Sequence, residues 1–209
     1  MSRTTPLGVM DAMTARHSVR TFTGEPVAAR DLEALFQAAR LAPSGLNAQP
    51  WRFKAVQDPE LIRWFAQKDA TRGQGWLAGA GAIIVCCADL AGYVRDAQAS
   101  AFFYRERGLL PGEMMDGIDD YVRRAAEATE AARFAVAAMN VGIANTFIML
   151  RAVELGLGTC WVGMFDEGRV RERLALGPDL RVVALLAVGH PAPGQPTRHT
   201  RKPLEDIVL

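Results

Sequence analysis

At 209 residues, with 50% hydrophobic and 22% charged side chains, the chain is long enough for one sizeable core and too apolar to stay disordered. A formal net charge of +1 gives no general pull toward nucleic acid or an anionic membrane. The three cysteines, Cys86, Cys87 and Cys160, make neither a disulfide framework nor a CxxC pair, so buried thiols in a reducing, cytoplasmic setting are expected.

The N-terminus lacks the basic-then-apolar layout of a secretory signal. Leu7, Met10 and Met13 suit a short first helix. Leu32, Leu35, Phe36 and Ala39 recur at i, i+3, i+4 and i+7, with Asp31 and Glu33 in the first turn, and predict a second. "WRFKAVQ" alternates bulky apolar and charged residues as a half-exposed strand does. Asp58 then reads as the N-cap of a helix whose first residue is Pro59. The β-branched run "AIIVCCA" predicts a buried strand. A helical pattern follows from roughly Asp119 to Leu155, with Gly156 as its left-handed C-cap. Within it the uncharged run from Phe134 to Leu150 is shorter than the ~20 residues of a membrane span. The run also carries Asn140, Gly142, Asn145 and Thr146, so it reads as a buried core helix. "TCWVGMF" predicts a short strand, Asp166 caps another helix, and "RVVALLAVGHP" predicts a central strand. The tail from Pro191 to Lys202 is proline-rich and carries Arg198, His199, Arg201 and Lys202, as an arm on a surface would. Neither repeats nor a linker divide the chain, which predicts a single α+β domain over residues 1–209.

Two stretches carry chemistry. "ARHSVRTF" puts Arg16, Ser18 and Arg20 at alternate positions, on one side of an extended chain. Two guanidiniums and a hydroxyl there suit a phosphate or other anion; a solvated edge strand with ordinary surface arginines is the other reading. "LAPSGLNAQPWRF" packs Ser44, Asn47 and Gln49 into a backbone stiffened by Pro43 and Pro50, while Gly45 allows close approach to a ligand. Asn and Gln can present an amide edge to a flat heterocycle. An Asx-type turn would account for Asn47 but not for Gln49. Cys160 has no partner histidine in a recognisable motif, and His17, His190 and His199 are too scattered for a metal site. Asp119 and Asp120 read as a solvated or capping pair, and no phosphate-binding glycine loop is present.

Taken in order, "ARHSVRTF", "APSGLNAQPWRF", "ELGLGTCWVG", "AVGHPA" and "TRKPLEDIV" resemble the nitroreductase family of flavin-dependent oxidoreductases, over nearly the whole chain. The resemblance implies an α+β fold with a central, mostly antiparallel sheet flanked by helices. It also implies a homodimer with a long buried interface helix and an exchanged C-terminal arm. FMN would be the cofactor, NADH or NADPH the reductant, and a small molecule such as a nitroaromatic or quinone the acceptor. Arg16 and Ser18, with His17 nearby, match positions that hold the FMN phosphate and ribitol, and Arg20 matches a cation near the pyrimidine edge of the ring. Pro43, Ser44 and Asn47 match positions that reach the cofactor across the dimer interface; Gln49 contacts it or shapes the loop. Cys160, Trp161, Val162 and Gly163 match the segment against the ring, where a backbone N–H can approach the reactive nitrogen. Arg201 and Lys202 match phosphate ligands of the tail, and Gln74 of "GQGW" is a further candidate. Some subgroups carry an acidic residue where Val162 stands. Members vary most across the region corresponding to 88–126, where Phe102, Phe103 and Tyr104 either lid the substrate pocket or pack as a helix core. No catalytic side chain is implied. Reductive dehalogenation, dehydrogenation of a modified peptide, and FMN binding without catalysis remain open.

Overall fold

The computed structural model describes residues 7–194 and 200–208. Arg198 and His199 of the basic tail, and the final Leu209, lie outside them. Four strands form one antiparallel sheet in the order β1-β2-β4-β3: β1 (Trp51–Val56), β2 (Ala82–Asp89), β3 (Gly158–Val162) and β4 (Leu180–Gly189). β4 lies between β2 and β3, the central position its sequence predicts. In β2, side chains alternate between two cores. Ile84, Cys86 and Ala88 join the layer built by α2 (Ala29–Arg40) and α7 (Glu130–Glu154). Ile83, Val85 and Cys87 join the layer under α3 (Pro59–Phe65) and α8 (Glu167–Arg173). Both faces are covered, so the strand reads as a continuous apolar run, and the adjacent cysteines are buried free thiols on opposite sides.

The predicted caps are present. The Asp58 side chain accepts from Glu60 N–H at 2.7 Å, Asp166 accepts from Arg169 N–H at 3.0 Å, and Gly156 sits at φ +73°. The single helix expected from Asp119 to Leu155 is instead two, α6 (Gly112–Glu127) and α7. Ala128 and Thr129 are extended, and the Thr129 hydroxyl accepts from Ala132 N–H at 3.3 Å, starting a new helix. The break lets α6 fold back against α5 (Leu90–Glu106). α7 is long and apolar enough, by length and composition, to cross a membrane. Here it packs on α2 and the sheet, with Ala137, Val141, Ala144, Ile148 and Ala152 fully buried.

The α5–α6 hairpin occupies the region expected to vary. Its interior is Tyr93, Ala97, Ala101 and Val122, and the Tyr93 and Tyr121 hydroxyls meet at 2.5 Å. Phe102 and Phe103 are not part of that interior; both are exposed, while Tyr104 is half-buried. The C-terminal arm begins by pairing with the segment after α1 (Val9–Ala15): Thr23 N–H donates to His190 O, and Ala192 N–H to Thr21 O. Its β-prone ending forms a 3-10 turn, Leu204–Asp206, rather than a strand, and Leu204, Ile207 and Val208 are exposed.

Candidate cofactor site

α1 stops at Ala15 because Arg16 is already extended, at φ −63° and ψ 121°. The chain then runs beside β3: Ser18 bridges Thr159 in parallel, and Val19 N–H donates to Thr159 O at 2.9 Å. Val19 turns inward, against Gly158. A Cβ on Gly158 would lie 2.7 Å from a Val19 methyl, so only glycine permits this approach. Arg16, Ser18 and Arg20 take the alternate positions, and all three act on Cys160 of β3. Burial pushes the Cys160 thiol above its ordinary value, against the pull of the Arg20 guanidinium, a hydrogen bond with Ser18 and the charge of Arg16. The first and third sequence motifs thus form one surface. His17 points the other way. Its Nδ1 lies 3.0 Å from Ala15 O, which can only accept, so Nδ1 carries a proton. It lines a small cavity of about 110 Å³ with Val153, Leu157, Thr159 and Pro191.

Of the four residues singled out at the end of β3 and just after it, Cys160 and Val162 turn into the core, whereas Trp161 and Gly163 are exposed. The turn after β3 is tied to the "GQGW" segment. Gln74 Nε2 donates to Met164 O at 3.0 Å and to Thr71 O at 3.2 Å, and Asp166 N–H donates to Ala70 O at 2.8 Å. α4 (Lys68–Thr71) adds an ion pair, Asp69 to Arg169 at 3.1 Å. Gln74 therefore spends its amide hydrogens on the main chain.

Between α2 and β1 the chain makes a 3-10 turn, Gly45–Asn47. Leu46, Asn47 and Gln49 all have positive φ, at 49°, 51° and 43°. Such a run of non-glycine residues in the left-handed region is costly and needs external support. The Ser44 hydroxyl accepts from Gln49 N–H at 3.0 Å, and Gln49 Nε2 reaches the Asn47 side chain at 3.2 Å, so Gln49 shapes the loop. Leu46 packs against the α5–α6 core. Asn140, 1% exposed on α7, accepts from Gly45 N–H at 3.0 Å. Sequence reasoning noted Asn140 only as a polar interruption of an apolar helix; nothing local pointed to Gly45.

Not all of the candidates converge. Asn140, under the loop, and Val153, beside His17, are thirteen positions apart on α7, about 20 Å of helix. The loop and the arginine motif thus lie toward opposite ends of α7. Pro43 is exposed at the loop's entry, and Arg201 and Lys202 are exposed on the arm, where Arg201 donates to Thr200 O.

A sequence model of the nitroreductase family matches residues 13–190. An NADH dehydrogenase of Thermus thermophilus is 36% identical, over 97% of each chain. An FMN reductase [NAD(P)H] of Bacillus subtilis is 28% identical over 93% of this chain and 69% of its own length. A nitroreductase-type structure from Exiguobacterium sibiricum, in complex with FMN, superposes with a TM-score of 0.78 at 22% identity, covering 100% of this chain and 99% of that one. On this match of sequence and fold, the chain belongs to the nitroreductase family.

Proposed function

We propose that the protein is a cytoplasmic FMN-dependent NAD(P)H oxidoreductase. The observation that carries this reading is the pairing of the segment bearing Arg16, Ser18 and Arg20 with β3, where Ser18 bridges Thr159 and Val19 N–H donates to Thr159 O. Two forked cations and a hydroxyl suit a phosphate, and the exposed Trp161 ring with the Gly163 main chain suits a flat ring system, so the donor set fits FMN. When bound, FMN takes a hydride from NADH or NADPH and passes reducing equivalents to a small acceptor such as a nitroaromatic or quinone. The chain's own part is to bind and orient. Arg16 and Ser18 hold the phosphate end, with His17 beside them and Arg201 and Lys202 of the arm as further ligands. Arg20 supplies positive charge where the reduced ring carries negative charge. The Gln74 carbonyl faces the cofactor while its amide group fixes the Met164 turn. Cys160 stays a protonated thiol and takes no covalent role.

The same reading makes the protein a homodimer with shared sites. One stripe of α7 (Ala135, Met139, Gly142, Thr146, Met149 and Val153) is incompletely covered, and Met139 is 62% exposed. Pairing this stripe antiparallel with its copy, about an axis near Thr146, brings the Asn47 loop of one subunit to the arginine motif of the other. The approximately 20 Å offset within one chain supports that arrangement. Mixing FMN-loaded protein with NADH or NADPH under anaerobic conditions tests the activity. Rapid bleaching of the flavin band, and its return on adding a quinone or nitroaromatic, is the expected result. Bound flavin that neither nicotinamide reduces would leave a binding protein.

A further inference from the structure

We propose that Asn140 is a positioning residue of the cofactor site, its carboxamide holding the Gly45–Asn47 turn in the conformation from which Ser44 and Asn47 meet FMN. This rests on the reading of that loop as part of the FMN site. Asn140 is buried on α7 among Ala137, Val141 and Ala144, where an unpaired amide would be costly. Both ends of the amide are used: Nδ2 donates to Val136 O at 2.8 Å, and Oδ1 accepts from Gly45 N–H at 3.0 Å. The first bond stays within the helix and orients the amide. The second crosses to the loop at the residue before its left-handed run. Three of the next four residues, Leu46, Asn47 and Gln49, sit in that sparsely populated region. Other tethers are the Ser44–Gln49 and Gln49–Asn47 bonds inside the loop, the Arg52–Gln49 bond at its exit and the packing of Leu46 on the α5–α6 core. Among the described residues, only Asn140 ties the turn by hydrogen bond to the helix that carries the proposed subunit contact. Without it the Gly45 N–H loses its partner and the turn can relax, carrying the Ser44 and Asn47 side chains with it.

The test is FMN titration of purified apoprotein variants. Asn140→Ala should weaken FMN about tenfold. Gly45→Pro cuts the same bond from the loop side and leaves α7 intact; Ser44 is already extended at φ −147° and ψ 156°, as a residue before proline must be. It should weaken FMN comparably, and the double variant should bind no worse than either single one. Gly45→Ala keeps the N–H, and its Cβ meets no protein atom within 4 Å, so it should weaken FMN less than Gly45→Pro does. In an Asn47→Ala background, Asn140→Ala should add clearly less than its full effect, because only the Ser44 contact is then left to lose; a merely structural role would add its full effect there. Parent-like affinity in folded Asn140→Ala or in Gly45→Pro, with Asn47→Ala weakened, overturns the inference alone. Parent-like affinity in Asn47→Ala and Asn140→Ala together overturns the site reading, and the inference with it.

Discussion

Arg16 is half-buried at the point where α1 gives way to the strand-like segment beside β3. Replacing it with alanine removes a charge-assisted phosphate contact and should weaken FMN by roughly 1.5–3 kcal/mol. Fluorescence titration reads this directly, and unchanged affinity in a folded variant would take Arg16 out of the site. Cys160 makes the opposite case. Its thiol is pushed up by burial despite two nearby arginines, so Cys160→Ala should keep NADH-driven turnover once FMN is bound. A collapse of kcat with the flavin still in place would give the thiol a chemical role. Residues whose task follows from local periodicity were legible in the sequence: the alternation of Arg16, Ser18 and Arg20 needs only an extended chain. Gln74 stood out in the sequence as a candidate, but the use of its amide on Met164 was not legible there. Asn140 was hidden, because its partner Gly45 lies far away in the chain and no local pattern encodes a contact across that distance.

At the level of elements, strands and caps were legible because each is set by a few neighbouring residues. The buried run of β2, the Asp58–Pro59 start of α3 and the Gly156 stop of α7 all have local causes. The α6–α7 break was missed because helical propensity runs through Ala128 and Thr129, and only the Thr129 cap marks the restart. The exposure of Phe102 and Phe103 was undecidable from periodicity, since either face of α5 can be read as apolar. α8 is anchored by Glu167, whose carboxylate takes two hydrogen bonds from Arg181, at 2.6 and 2.8 Å, and one from Val182 N–H at 3.0 Å. Partial burial works against the charged form, but those bonds and the charges of Arg181 and Arg171 outweigh it, so the folded pKa lies below the ordinary carboxylate value. The stabilisation is therefore complete above the unfolded-state pKa and lost as pH falls through the folded one. Thermal melts across the acid range should show the parent losing stability there, while Glu167→Gln, less stable by about 1–2 kcal/mol at neutral pH, loses less. Identical acid slopes for the two would contradict this. Gly142 tests the exposed stripe of α7. A Cβ there meets nothing within 4 Å, so Gly142→Arg should fold as a monomer-like chain and weaken self-association by at least about tenfold. Gel filtration with light scattering would report a parent-like dimer if the stripe were not the contact.

For the whole molecule, the α+β fold was legible from the element pattern, and the family from the order of five motifs. The proposed dimer draws on what one chain leaves uncovered. Val9, Met10 and Met13 of α1, Met139 of α7, and Leu204, Ile207 and Val208 of the arm are all exposed, more apolar surface than a lone subunit usually keeps in water. β1 is an edge strand, and beside it a groove of about 400 Å³ along α2 is lined by Leu32, Phe36 and Arg40. The Phe36–Phe53 stack at 5.9 Å joins α2 to that edge, which is where the proposed dimer would place the partner's C-terminal arm. Deleting 204–209 should then loosen both the dimer and FMN, because a site shared by two chains links cofactor binding to association. The most direct measurement of this shared-site account is sedimentation velocity of the FMN-loaded protein at low micromolar concentration, detected at the flavin band. The account predicts that the flavin sediments with a dimer carrying about one FMN per chain. A folded monomer that carries the flavin would contradict it, and would require both halves of the site to come from a single chain.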